Sequence, residues 1–102
     1  MKKITEEELK EILEQHKLWL KSNEEEGKRA NLYGAHLIGV DLTNIDLTSA
    51  DLSYANLSRA NFFDANLSGA DLSGANLSGA NLRCANLTYA NLRCADLAYA
   101  NL

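Results

Sequence analysis

At 102 residues the chain has room for one domain. Its 14 acidic and 10 basic side chains leave a net charge of −4, and no basic run stands anywhere, which argues against nucleic acid as a partner. No apolar stretch approaches the length of a membrane span. The opening Met1-Lys2-Lys3-Ile4-Thr5-Glu6-Glu7-Glu8 turns acidic where a secretion signal would turn apolar, so the expectation is a soluble, cytoplasmic protein without a membrane role.

The first predicted element is a helix. Thr5-Glu6-Glu7-Glu8 has the form of a capping box, in which the Thr5 hydroxyl accepts from the Glu8 amide and the Glu8 carboxylate reaches back to Thr5. Ile4 and Leu9 stand where a hydrophobic staple would place them. The helix is expected to run to Ser22 or Asn23, with Leu9, Ile12, Leu13, His16, Trp19 and Leu20 within one stripe roughly 120° wide. Leu18 lies opposite that stripe. A link follows, Asn23-Glu24-Glu25-Glu26-Gly27-Lys28-Arg29, so residues 1–29 read as helix and connection.

From Ala30 to Leu102 one five-residue unit, Ala-(Asn/Asp)-Leu-x-x, is written fifteen times without insertion. Fourteen centres are Leu and one is Phe62; Val40 and Ile45 replace Ala, and His36 replaces Asn or Asp. A period of five fits neither regular element. On a helix each Leu would drift about 140° from the last, and on a continuous strand alternate Leu would face opposite sides. The chain must therefore bend once per unit. Ala and Leu, two apart, share the inner side of a short extended segment with Asn or Asp facing out, and the two following residues turn the corner. Successive coils then stack around a leucine core, although this pattern alone leaves the number of faces per coil open.

The run Ala65-Asn66-Leu67-Ser68-Gly69-Ala70-Asp71-Leu72-Ser73-Gly74-Ala75-Asn76-Leu77-Ser78-Gly79 resembles the pentapeptide repeat family, and the match covers residues 30–102. The helix, the Gly-containing link and Lys28-Arg29-Ala30-Asn31-Leu32 also resemble the start of other family members. The resemblance implies an all-β solenoid, a right-handed quadrilateral β-helix with twenty residues per coil. Fifteen units at four per coil then give three and three-quarter coils, about 18 Å at ~4.8 Å per layer. Four inward columns follow: Leu32, Leu52, Leu72 and Leu92; Leu37, Leu57, Leu77 and Leu97; Leu42, Phe62, Leu82 and Leu102; Leu47, Leu67 and Leu87. A bare solenoid end exposes apolar side chains and unpaired strands, so the helix is expected to cap the first coil. Cys84 and Cys94, ten residues apart, fall half a circuit from each other and are expected to be free thiols.

No catalytic grouping, cofactor site or metal site emerges from these positions, and His16 and His36 lack the Cys or carboxylate spacing of metal ligands. His16 is expected to pack or bond at the cap, and His36 to bond locally as Asn or Asp does. Arg83 and Arg93 beside the two cysteines read as variable corners. Tyr33, Ile38, Tyr54, Phe63, Tyr89 and Tyr99 are expected to project from corners as candidate protein contacts, distributed over different sides. Leu87, Leu92, Leu97 and Leu102 form an open last layer that a second copy is expected to cover, giving a homodimer, unless the natural chain is longer. The functional expectation is a non-enzymatic scaffold or protein-interaction module with an unidentified partner. The alternative, from resemblance alone, is a DNA mimic that binds or protects a type II topoisomerase such as gyrase. Against it, the repeats carry six Asp and three Arg, whereas duplex DNA carries roughly ten negative charges over that length.

Overall fold

Each repeat has five main-chain N–H groups to place, and the unit Asn61 to Ala65 shows where they go. The Asn61 N–H donates back to the Val40 carbonyl of the preceding coil at 2.9 Å, and those of Phe62 and Asp64 donate forward to Asn81 and Arg83 at 2.7 and 3.1 Å. The Ala65 N–H closes the corner on the Phe62 carbonyl at 2.9 Å. The Phe63 N–H donates to Oδ1 of Asn61 at 3.0 Å. All five donors are satisfied, three of them between coils. This is why a five-residue unit with a central Asn or Asp stacks without regular strands.

The computed structural model describes residues 2–102, with Lys2 described by its backbone alone. Parallel bridges join residues twenty apart, from Asn31 with Asp51 to Asn81 with Asn101. Each face is one bridging residue wide. The corner residue before each unit's alanine position has φ between 57° and 69°, from Gly34 through Tyr99, whereas the residue preceding it does not lie in the left-handed region. That is the pattern of a type II turn, in which the third residue must adopt positive φ. Glycine meets this requirement at Gly34, Gly39, Gly69, Gly74 and Gly79, and Asn44 and Asp64 tolerate it. Ser49, Tyr54, Arg59, Cys84, Tyr89, Cys94 and Tyr99 adopt it with a side chain, at a local cost that the stacking must offset.

The predicted inward columns form the core. From Leu32 through Leu82, no repeat centre is more than 5% exposed, and Phe62 fills a leucine position completely. Val40 and Ile45, larger than the usual Ala, are half-buried in the first coil. Leu87, Leu92 and Leu97 are half-buried and Leu102 is exposed, so the core is closed at one end and open at the other.

The closed end is made by two N-terminal elements. Strand β1 (Lys2–Lys3) pairs in parallel with β2 (Ala35–His36), placing Lys2 opposite Ala35 and Lys3 opposite His36. It thereby extends one face of the first coil by one more strand. Helix α1 (Glu6–Lys21) opens with the expected capping box: Thr5 Oγ1 accepts from the Glu8 N–H at 3.0 Å, and Glu8 Oε1 accepts from the Thr5 N–H at 2.9 Å. Glu6, Glu7 and Glu8 in the first turn and Lys21 in the last suit the helix dipole. Ile4, Leu9, Ile12 and Leu13 pack against the repeat core.

Candidate functional site

The junction between α1 and the first coil is the most specifically built part of the surface. Of the six residues predicted on the apolar stripe, Leu9, Ile12 and Leu13 touch the core, His16 is fully buried, and Trp19 and Leu20 are half-buried. His16 Nδ1 accepts the Ala30 N–H at 2.9 Å, joining the helix to the first residue of the repeats. Its ring stacks on Trp19, with centroids 5.5 Å apart and planes inclined by 25°. Burial lowers the pKa of His16; the Thr48 backbone and Asp46 oppose that shift, and Arg29 reinforces it.

The link is held on the same side. Gly27 has φ 72° and lies so close to α1 that a Cβ there would stand 2.4 Å from the Gln15 carbonyl and 2.8 Å from the Trp19 nitrogen. The Lys28 N–H donates to the Gln15 carbonyl at 3.2 Å, and an Arg29 guanidinium nitrogen donates to the Ser49 carbonyl at 3.2 Å. Between helix and link is a cleft of about 390 Å³ lined by Glu11, Ile12, Gln15, Lys28, Arg29, Ala30 and Asn31. Two of its polar side chains are already engaged with each other, because Gln15 Nε2 donates to Glu11 Oε1 at 3.1 Å.

On the faces, the outward Asn and Asp are structural. From Asn31 to Asp96, Oδ1 of each accepts the N–H two residues on. The Thr43 and Ser73 hydroxyls donate to Asp41 and Asp71 at 2.6 Å each, and together with the backbone N–H they hold both carboxyls below the usual aspartate value.

One of the projecting residues falls out differently from the expectation. Phe63 is half-buried rather than exposed, because its inner coil has neighbours on both sides and its corner stacks in register between Thr43 and Arg83. Tyr33 and Tyr54 meet edge to face at 5.7 Å, 56% and 60% exposed, on one corner. The Tyr54 ring lies over Gly74 of the next coil, where a Cβ would stand 2.4 Å from Cε1. Ile38, Tyr89 and Tyr99 project as predicted, and Cys84 and Cys94 are free and exposed. Among the described residues no group of three or more His, Cys, Asp or Glu could hold a metal ion, and no helix is long and apolar enough to cross a membrane. The bond from Ala30 to His16 and the tyrosine pair were not anticipated. A histidine inside an apolar stripe was the one sequence signal for the former; for the latter, Tyr33 and Tyr54 stand in adjacent corner positions of successive coils.

A coil of twenty residues whose leucines point inward and whose Asx side chains seal their own turns defines a solenoid built from a five-residue module. The family model for pentapeptide repeats matches residues 28–63 and 60–97 with eight copies, and the chain belongs to that family, whose members fold as right-handed quadrilateral β-helices. The match begins at Lys28, ahead of the first complete unit. Among solved structures, the chain is 37% identical to HetL, a pentapeptide repeat protein involved in heterocyst differentiation regulation in the cyanobacterium Nostoc sp. strain PCC 7120, covering 74% of this chain and 46% of that one with a TM-score of 0.47. It is 40% identical to a pentapeptide repeat protein of the Arabidopsis thaliana thylakoid lumen, covering 66% and 53% with a TM-score of 0.37. A pentapeptide repeat protein from the cyanobacterium Cyanothece 51142 is 35% identical over 72% of this chain and 60% of that one, with a TM-score of 0.26. The chain thus spans about half the length of the first two. No curated protein matches it.

Proposed function

We propose that this chain is a non-enzymatic scaffold, a cytoplasmic interaction module that meets a protein partner on its outer faces. The observation that carries the reading is the use of the interior: repeat centres from Leu32 to Leu82 are packed solid, and the outward Asx side chains are spent on their own turns. What remains for recognition is the exposed corner chemistry, above all the Tyr33 and Tyr54 pair. Residues 1–29 act as the cap and link, and residues 30–102 form three and three-quarter coils of interaction surface. Affinity capture with the full chain and with a Tyr33→Ser/Tyr54→Ser variant tests this. A protein held by the first and lost by the second supports the reading; turnover of a metabolite with no protein retained sinks it.

A homodimer through Leu87, Leu92, Leu97 and Leu102 belongs to the same proposal, supported by the 75% exposure of Leu102 and the half-burial of the other three. Light scattering across a range of concentrations checks it, since a mass that stays at one chain removes it. The DNA-mimic alternative has less support. Asp41, Asp46, Asp51, Asp71 and Asp96 all accept hydrogen bonds from their own turns and are spread over four faces. Gyrase supercoiling that is unaffected by excess protein would eliminate it.

A further inference from the structure

The two nitrogens of the His16 ring are in different situations. Nδ1 accepts the Ala30 N–H at 2.9 Å, so the neutral ring must carry its proton on Nε2, which is buried with no well-formed hydrogen bond, although the Thr48 backbone lies near enough to the ring to favour its proton. A second proton has only Nδ1 to go to. There it would point at the Ala30 N–H, donor against donor, and the ring would carry a charge at a position with no solvent exposure. The charged groups facing the ring are Arg29 from the link and Asp46 from the coil wall. Arg29 opposes an imidazolium. Asp46 is committed to Thr48, accepting its N–H at 3.0 Å and its hydroxyl at 2.5 Å.

We propose that His16 is an acid-sensitive latch: its protonation releases α1 and the link from the first coil, opening the N-terminal end of the solenoid while the stacked coils stay folded. The sign follows from burial, which lowers the ring's pKa from its ordinary 6.5 in the docked state. The undocked helix therefore binds the proton more tightly. Docking is at full strength above pH 6.5 and weakens as pH falls from there towards the docked ring's lower pKa. The coils are spared because their ladder is main chain to main chain, and His36 is the only other histidine. Asp41 and Asp71 are held below the ordinary aspartate value of 3.8 by the hydroxyls and N–H groups of Thr43 and Ser73.

The test uses the full chain in a His36→Asn background, which restores the usual residue at that repeat position and leaves His16 as the single histidine. Amide-exchange protection of α1 and the emission of Trp19, the sole tryptophan, are followed from pH 7.5 to 4.5. The expected result is a loss of α1 protection approaching about tenfold per pH unit below the ordinary histidine value, with a red shift of Trp19 and unchanged protection in residues 50–80. His16→Gln, which can still accept from Ala30 but cannot titrate in this range, should give a flat profile. Protection of α1 that is constant to pH 4.5, or an equal loss in His16→Gln, overturns the proposal. Should His16→Gln undock at neutral pH, the His16 ring resonances decide: protonation in step with the loss of α1 protection upholds the latch, and protonation with α1 still protected overturns it. None of these outcomes depends on whether the chain has a protein partner.

Discussion

The outward Asn or Asp of each unit has a definite task at the residue scale, because it is the sole acceptor for one main-chain N–H of the corner. Asn76 Oδ1 accepts from Ser78 at 3.0 Å in the middle of the stack, and Asn91 Oδ1 accepts from Arg93 at 3.1 Å in the exposed last layer. Asn76→Ala should cost about 1–3 kcal/mol, the penalty for a partly buried donor left unmatched. Asn91→Ala should cost about 0.5 kcal/mol or less, since water replaces the lost acceptor. Denaturant melts of the two variants check the difference, and equal losses would mean that the Asx bond is incidental. Gly74 presents a second contrast. Any L-residue there keeps the left-handed φ of 67°, as Tyr54 and Cys94 do in the same column, but Ala would also strike the Tyr54 ring. Gly74→Ala should therefore destabilise more than Gly39→Ala, which meets nothing within 4 Å. The excess should vanish when Tyr54→Ala is added, as a double-mutant cycle would reveal.

At the scale of elements, α1 is a short helix whose existence rests on its cap and its packing. A helix of 16 residues is marginal alone in water, so the capping box and the contacts of Leu9, Ile12 and Leu13 with the core stabilise it in place. Docking depends on the link as much as on the helix, because Gly27 lets the chain turn back within contact of Gln15 and Trp19. Gly27→Ala adds about 1–2 kcal/mol of left-handed backbone cost and forces a Cβ into main-chain atoms that have no free side-chain end to yield. The expected outcome is loss of α1 protection and a red-shifted Trp19 with the circular-dichroism signal of the coils largely kept. A Gly27→Ala chain whose Trp19 emission matched the wild type would show that the link does not set the docking. Cap and stripe were both readable in the sequence. Strand β1 was not: Lys2-Lys3 has no strand signature of its own and pairs because the edge at Ala35 and His36 lies within reach.

For the whole molecule, stability varies along the axis, as expected of a solenoid whose coils contact only their neighbours. Leu67 is fully buried between coils, and Leu97 is half-buried in the last layer. Leu67→Ala should cost about 2–5 kcal/mol. Leu97→Ala should cost roughly half of the ~1.5–3 kcal/mol that full burial of such a side chain is worth. If two copies pair through that layer, the Leu97→Ala effect should grow with protein concentration. A constant small effect would place the layer in water. The molecule measures 37 × 28 × 21 Å.

The repeat period, the inward leucines and alanines, the sealing role of Asn and Asp, and the helix start at Thr5 were all determined by the sequence itself. Each is a local consequence of side-chain geometry within a few residues, repeated often enough to exclude accident. Tertiary structure decided what depends on residues distant in the chain. The ring of His16 met the amide of Ala30 fourteen positions on, Tyr33 met Tyr54 across one coil, and Phe63 was half-covered by its neighbouring layers. The physical reason is contact across the chain: a coil of twenty residues brings corner side chains against partners about twenty positions away, and docking of α1 on the first coil buries His16 and sets its proton affinity.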